Sequence, residues 1–194
     1  MLLLLAGCTQ PVAPSPSSSS SSTTTSAAPP TPTPSPVCSP TGGTPRACSP
    51  EEVEKTEKQN RLTEEAIALY RRWTKESTRL YRAGGTDKPT KEMLATTAGE
   101  FQGSVLGIFQ DIKSAHIRAV AGEIIIVSIG PHSGTAPAAG STGIVACMDS
   151  RSLKFERGGK PIRDGILFKE YVVAKLIKEE LRLWDVSSEV VKSC

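Results

Sequence analysis

Residues 49–85 read SPEEVEKTEKQNRLTEEAIALYRRWTKESTRLYRAGG and predict one long helix that organises the rest of the fold. Ser49 is placed as the N-cap, Pro50 stands at the first helical position, and Glu52 completes a capping box. A Gly-Gly pair ends the helix. A coiled coil is the alternative, but the apolar stripe lasts fewer than three heptads. The apolar residues of this stripe recur with the 3.6-residue period of a helix: Leu62, Ala66, Leu69, Tyr70, Trp73, Leu80 and Tyr81.

The next segments predict two shorter helices. KEMLATTAG (91–99) indicates a short helix ended by Gly99. A second amphipathic helix follows, because apolar residues again share one side of a helical pattern. Those residues are Phe101, Val105, Ile108, Phe109 and Ile112.

From residue 115 onward the pattern predicts strands. HIRAVAGEIIIVSIG is rich in β-branched residues and indicates one or two strands; GIVACMDS indicates another. LKFERGGKPI predicts a hairpin that turns at Gly158-Gly159, and residues 166–194 predict two long strands hinged at Glu179-Glu180. Because the helices precede the strands, we expect the α+β class with an antiparallel sheet rather than alternating βαβ units.

The N-terminus, MLLLLAGC, is apolar but shorter than the about 20 residues that a membrane-spanning helix needs. Leu5-Ala6-Gly7-Cys8 resembles the lipobox at the end of a bacterial lipoprotein signal peptide. The resemblance implies that a lipid on Cys8 anchors the protein at the extracytoplasmic face of the cell membrane. The apolar core is short and no basic segment precedes it, so we expect the signal peptide to begin upstream of Met1.

The segment after Cys8 contains almost only Pro, Ser, Thr and Ala as far as Val37. Such a composition cannot bury enough apolar surface to offset chain entropy, so it predicts a disordered tether. We therefore divide the chain into a signal end at 1–8, a tether with a small disulfide loop at 9–48, and a folded domain at 49–194.

Five cysteines bear on the compartment. With Cys8 assigned to lipid, four remain, and an extracytoplasmic domain would oxidise them. Three pairings are possible. We favour Cys38 with Cys48, which closes CSPTGGTPRAC around a Gly-Gly turn, and Cys147 with Cys194, which joins a strand to the C-terminus. A zinc site is not favoured, because the sequence has no Cys-x-x-Cys pair and only two histidines.

The charge distribution does not indicate a particular class of binding partner. The chain has 23 Lys and Arg residues against 20 Asp and Glu residues, and only Arg46 among them precedes Ser49. Both signs are interspersed, and aromatic residues make up 5% of the chain. A nucleic-acid partner is therefore not expected, since it would require a basic stripe. We also predict no cofactor.

The chain resembles actinobacterial envelope lipoproteins with an NTF2-like, cystatin-like α+β fold, some of which phages and prophages encode. The resemblance covers most of 64–194 and lies in LYRRWTKESTRLY, VACMDS, GGKP, EYVVAKLIKEELRLWDV and the terminal cysteine. It implies a cone in which a long helix and two shorter ones pack on a curved antiparallel sheet. The relatives have a Gly-containing turn before the last strand, where this chain has Glu179-Glu180.

The resemblance also implies a cavity between helix and sheet, with Tyr70, Trp73, Asp149 and Tyr171 as the candidate pocket residues. Tyr70 and Trp73 also lie on the apolar stripe and can be core residues. Some members of the fold are isomerases or dehydratases that use an Asp base with His or Tyr partners. The corresponding candidates here are Asp149, His116, Tyr70, Tyr171 and Asp185.

A non-catalytic function is favoured, because the sequence contains no nucleophile-elbow or phosphate-loop motif. Asp149 follows a predicted strand, where aspartate commonly caps a turn, and His132 lies in a Gly- and Ser-rich loop. We expect a lipid-anchored envelope domain that contacts a small apolar ligand or another envelope protein. The alternatives are a phage-encoded superinfection exclusion lipoprotein and a small isomerase or dehydratase.

Overall fold

The computed structural model describes residues 34–132, 138 and 140–194 of the chain. Cys8, the lipobox and the tether as far as residue 33 lie outside the described residues, as does most of the loop after His132. The three helices are α1 (Pro50–Ala83), α2 (Lys91–Thr96) and α3 (Gly99–Ser114). The strands are β1 (Val37–Cys38), β2 (Arg46–Ala47), β3 (Ile117–Ala121), β4 (Ile125–Pro131), β5 (Ser141–Asp149), β6 (Lys154–Arg157), β7 (Lys160–Asp164), β8 (Leu167–Ile177) and β9 (Glu180–Val190).

The α+β class is confirmed. Apart from the two-residue strands β1 and β2, the strands follow the helices and pair antiparallel. The larger sheet has the order β4-β5-β8-β9, and a smaller sheet has the order β3-β6-β7. The predicted hairpin at Gly158-Gly159 joins β6 to β7, and both glycines have positive φ.

Helix α1 has the predicted ends. The Ser49 hydroxyl accepts a hydrogen bond from the Glu52 backbone N–H at 3.2 Å, and the Glu52 carboxylate accepts one from the Ser49 N–H at 2.8 Å. Gly84 ends the helix with a φ of 77°, a left-handed conformation that glycine adopts easily. At 34 residues the helix is about 50 Å long.

The main core lies between the helices and one face of the larger sheet. Successive strand residues point to opposite faces, so alternate residues are buried where β5, β8 and β9 cross the helices. These sheet residues pack against the apolar stripe of α1 and the buried face of α3. They are Ile144, Ala146, Met148, Val172, Ala174, Leu181 and Leu183.

Two predicted boundaries are wrong. Gly99 begins α3 instead of ending α2, because the backbone between the two helices runs beside β9, where the Ala98 N–H donates to the Leu183 carbonyl at 2.8 Å. The turn between the two long strands is at Lys178 and Glu179, whose φ values are 50° and 70°, and Glu180 already pairs with β8. Positive φ at both central residues is the geometry of a two-residue hairpin.

Both favoured disulfides are present, Cys38–Cys48 and Cys147–Cys194, with Cα–Cα distances of 5.9 and 5.8 Å. The first closes a loop that is held on α1: the Asn60 side chain accepts from the Thr41 N–H and donates to the Ser39 carbonyl, both at 2.8 Å. The loop therefore belongs to the compact unit Ser35–Cys194, whereas its composition had suggested that it is part of the tether at 9–48.

Candidate ligand-binding cavity

A cavity of about 310 Å³ lies between the two sheets, beside the C-terminal end of α1 and the middle of α3. We call it the intersheet cavity. Strands β6 and β7 and the turn after them form one wall, and β8 and the end of β9 form the other. The apolar side chains that line it include Ile108, Ile124, Leu153, Phe155, Ile166 and Phe168.

A cluster of hydrogen bonds holds the turn before β8 at the cavity. The Ser150 backbone N–H and hydroxyl both donate to the Ile166 carbonyl, at 2.9 and 2.7 Å, and the Ile166 N–H donates back to the Ser150 hydroxyl at 2.8 Å. The Gly165 N–H donates to the Leu153 carbonyl at 3.0 Å. Ser150 directly follows β5 and Ile166 directly precedes β8, so these bonds continue the pairing of the two central strands to the point where the chain enters and leaves the smaller sheet.

Glu170 brings a carboxylate to the cavity from the inner face of β8. Its side chain is on the same face of β8 as those of Val172 and Ala174, which are buried against the helices. The Glu170 carboxylate accepts a hydrogen bond from the Tyr70 hydroxyl of α1. Burial raises the pKa of Glu170, and the hydrogen bond from Tyr70 opposes that rise in pKa without cancelling it. Folding thus shifts the protonation equilibrium of Glu170 toward the neutral acid relative to the unfolded chain, and this contribution to stability is lost as the pH rises through the folded pKa.

Tyr81 and Arg163 complete the polar part of the cavity wall. Burial raises the pKa of the Tyr81 phenol, the negative charge of Glu170 raises that pKa further, and the positive charge of Arg163 lowers it. The Tyr81 ring packs edge to face on Phe155 with 5.4 Å between centroids, and the Arg163 guanidinium lies 5.5 Å from the Phe155 centroid. The cavity therefore combines apolar walls with a few charged groups.

Two of the four predicted pocket residues are core residues. Tyr70 is 1% exposed, and burial together with Glu170 raises the pKa of its hydroxyl. Trp73 is 5% exposed and packs edge to face on Phe101 and Phe109, with centroid distances of 5.6 and 6.2 Å. Neither is among the residues that line the intersheet cavity, but Tyr70 touches it through Glu170.

The other two predicted pocket residues lie away from the cavity. Asp149 accepts a hydrogen bond from the Arg151 N–H at 3.0 Å and pairs with its guanidinium, contacts that lower the pKa of Asp149 to about 2. Tyr171 is on the opposite face of β8 from Glu170; its hydroxyl donates to Glu189 at 2.8 Å, and its ring packs edgewise on His132. The structure does not bring the four residues together.

The two remaining candidates for acid–base chemistry are exposed. His116 follows α3 with a positive φ of 53°, and Asp185 accepts a hydrogen bond from the Val186 N–H at 2.8 Å. Sequence reasoning missed Glu170 and Arg163. The position of Glu170 could have been predicted from FKEYVVA. It is separated by even numbers of residues from the apolar Phe168, Val172 and Ala174, so in a strand all four side chains lie on the same face.

No protein-family profile matches the chain, and no curated protein matches its sequence. Within the described part of the chain, none of the helices combines the length and apolar character needed to cross a membrane. Over the same residues, no three His, Cys, Asp or Glu side chains are grouped so that they could hold a metal ion. Function is therefore inferred from the cavity and from the N-terminal sequence.

Proposed function

We propose that this protein is a lipid-anchored, non-catalytic domain of the bacterial cell envelope that binds a small, mainly apolar ligand in the intersheet cavity. The cavity itself carries the proposal. Its volume of about 310 Å³ is within the range of small-molecule sites, which are typically apolar with a few convergent polar groups. Ile108, Phe155 and Phe168 would contact the apolar body of the ligand, and Glu170 would orient it.

The envelope location rests on three features. Cys8 ends a lipobox-like sequence, the Pro-, Ser- and Thr-rich segment after it provides reach from a membrane surface, and two disulfides are typical of proteins in oxidising compartments. The resemblance to NTF2-like envelope lipoproteins supports the same location.

Replacing Ile108 by tryptophan tests the cavity as the binding site. Ile108 lines the cavity from α3 but is 49% exposed, so an indole there can fill the cavity mouth without entering the buried core. We expect the affinity for a neutral apolar dye such as Nile red to fall about tenfold, which is roughly 1.4 kcal/mol. Fluorescence titration measures it.

Leu94→Trp is the matched control, because Leu94 is a helical aliphatic residue with 54% exposure that does not line the cavity. This variant should bind the dye as the unchanged protein does. If the Ile108→Trp variant bound the dye with the same affinity as the unchanged protein, the intersheet cavity would not be the binding site.

Replacing Cys8 by serine tests the anchor. Only the thiol accepts the lipid, and without acyl chains no strong membrane affinity remains. When the chain is expressed behind a lipoprotein signal peptide in an actinobacterial host, the unchanged protein should sediment with membranes and the Cys8→Ser variant should not. A variant that loses Cys38 and Cys48 should still sediment. A Cys8→Ser protein that stays with the membranes would refute lipid anchoring.

A second candidate function is a small isomerase or dehydratase that uses Glu170 as its acid–base group. The observation that favours it is the raised pKa of Glu170 inside a cavity, since general acid–base groups are most effective when their pKa lies near the working pH. Conversion of a bound compound, rather than its unchanged release, distinguishes this candidate from the binding domain.

A further inference from the structure

One oxygen of Glu170 is free for a ligand. The Tyr70 hydroxyl donates to Oε2, and no other described side chain or backbone group bonds to this carboxylate. Among the described residues, no buried polar side-chain atom lacks a hydrogen-bond partner. Because Glu170 lines the cavity and its Oε1 has no partner there, Oε1 must be accessible from the cavity.

Glu170 is the carboxylate that the inner face of β8 presents to the cavity. Glu189 and Asp164 also border it, but the Glu189 carboxylate accepts from Tyr171 on the opposite face of the sheet, and Arg163 is the one basic side chain among the described lining residues. Lys154 neutralises Asp164 with a 2.9 Å ion pair, and the Arg163 guanidinium lies over the Phe155 ring.

Glu170 itself has no countercharge. The ion pairs found in the described parts of the chain all involve other carboxylates. A carboxylate that is largely removed from water without an opposite charge is unfavourable, and a bound cation would remove that imbalance.

We propose that the ligand is an organic cation in which an ammonium group is attached to an apolar body, an inference that rests on the cavity-binding function proposed above. The ammonium group donates a charge-assisted hydrogen bond to Oε1 of Glu170. The apolar body lies against Phe155, Phe168 and Ile108.

Burial also raises the pKa of Glu170, which agrees with a carboxyl group that has no cationic side chain beside it. An anionic ligand would be disfavoured at this position, because its charge would repel the Glu170 carboxylate. A neutral ligand would leave the carboxylate desolvated and unpaired.

Three probes with similar apolar bodies test the ligand class: 2-phenylethylammonium, 2-phenylethanol and 3-phenylpropionate. Isothermal titration calorimetry at pH 7.5 measures the affinity of each for the unchanged chain. We expect the ammonium compound to bind about tenfold tighter than the alcohol, as a charge-assisted hydrogen bond implies, and the carboxylate to bind weakest. A carboxylate that binds as tightly as the ammonium compound would overturn the proposal.

The Glu170→Gln variant tests the residue. Glutamine keeps an acceptor for the Tyr70 hydroxyl and has the shape of the neutral acid, so the variant should fold, which thermal unfolding checks. We expect the preference for ammonium over alcohol to disappear while the affinity for the alcohol is kept. Glu189→Gln is the matched control and should keep the preference. An unchanged preference in Glu170→Gln would overturn the assignment of the cation to this carboxylate.

The binding results distinguish an error in the ligand class from an error in the proposed binding function. If the alcohol binds and Ile108→Trp weakens it, but the ammonium compound has no advantage, the cavity binds ligands and the ligand class is wrong. If none of the three probes binds, both proposals are overturned. The ranking of the probes on the unchanged chain decides the ligand class even if Glu170→Gln does not fold.

Discussion

Replacing Cys147 and Cys194 together by alanine is expected to lower the free energy of unfolding by about 4 kcal/mol. The disulfide joins residues 47 positions apart, and a cross-link that closes a long loop removes much conformational entropy from the unfolded chain. It ties the end of the chain to β5, the strand that pairs with both β4 and β8. Urea denaturation of both proteins without reductant measures the difference.

The Cys38–Cys48 pair provides the control for this prediction. Its residues are 10 positions apart, so its removal should lower the free energy of unfolding by about 3 kcal/mol, less than removal of the longer link. The long link also bears on the cavity, because Val190 lines the cavity four residues before Cys194. An equal or smaller loss of stability on removing Cys147–Cys194 would contradict this account.

Replacing Gly122 by alanine should lower the free energy of unfolding by about 3 kcal/mol or more. Gly122 connects β3 to β4 with a φ of 79°, a conformation that opposes any side chain. A Cβ atom placed there would lie 1.9 Å from the Ser152 carbonyl oxygen, so the backbone of that turn would have to move. The midpoint and slope of urea denaturation measure the effect.

Gly103→Ala is the matched control for that prediction. Gly103 is exposed in α3, and a Cβ atom there would meet nothing within 4 Å. Alanine is favoured over glycine inside a helix by up to about 1 kcal/mol, so this variant should be more stable than the unchanged protein. If both glycine variants lost similar stability, the close approach at Gly122 would not be the cause.

The long helix and its ends could be predicted because their causes are local. The capping box joins Ser49 to Glu52, and the stop depends on Gly84, so both signals lie within a few residues of the boundary they set. The start of α3 could not be found this way. It depends on the contact between Ala98 and Leu183, which are far apart in the sequence.

The disulfides were predictable from the number of cysteines and from the closed loop between Cys38 and Cys48, but the cavity was not. A single sequence indicates that Glu170 is on the apolar face of its strand, but it does not indicate which helix residue lies opposite. The hydrogen bond between Glu170 and Tyr70 can be predicted only once the position of β8 relative to α1 is known. Asp149, in contrast, caps a turn through Arg151 two residues away, a local interaction that the sequence suggested.

Native mass spectrometry of the protein secreted through an oxidising compartment tests the central claim most directly, because it detects a small molecule held in the intersheet cavity. The account predicts a mass above that of the bare chain, either as purified or after addition of 2-phenylethylammonium. The excess should disappear on denaturation, be absent from Ile108→Trp and be kept in Leu94→Trp. A bare mass for the unchanged protein under both conditions would contradict the account.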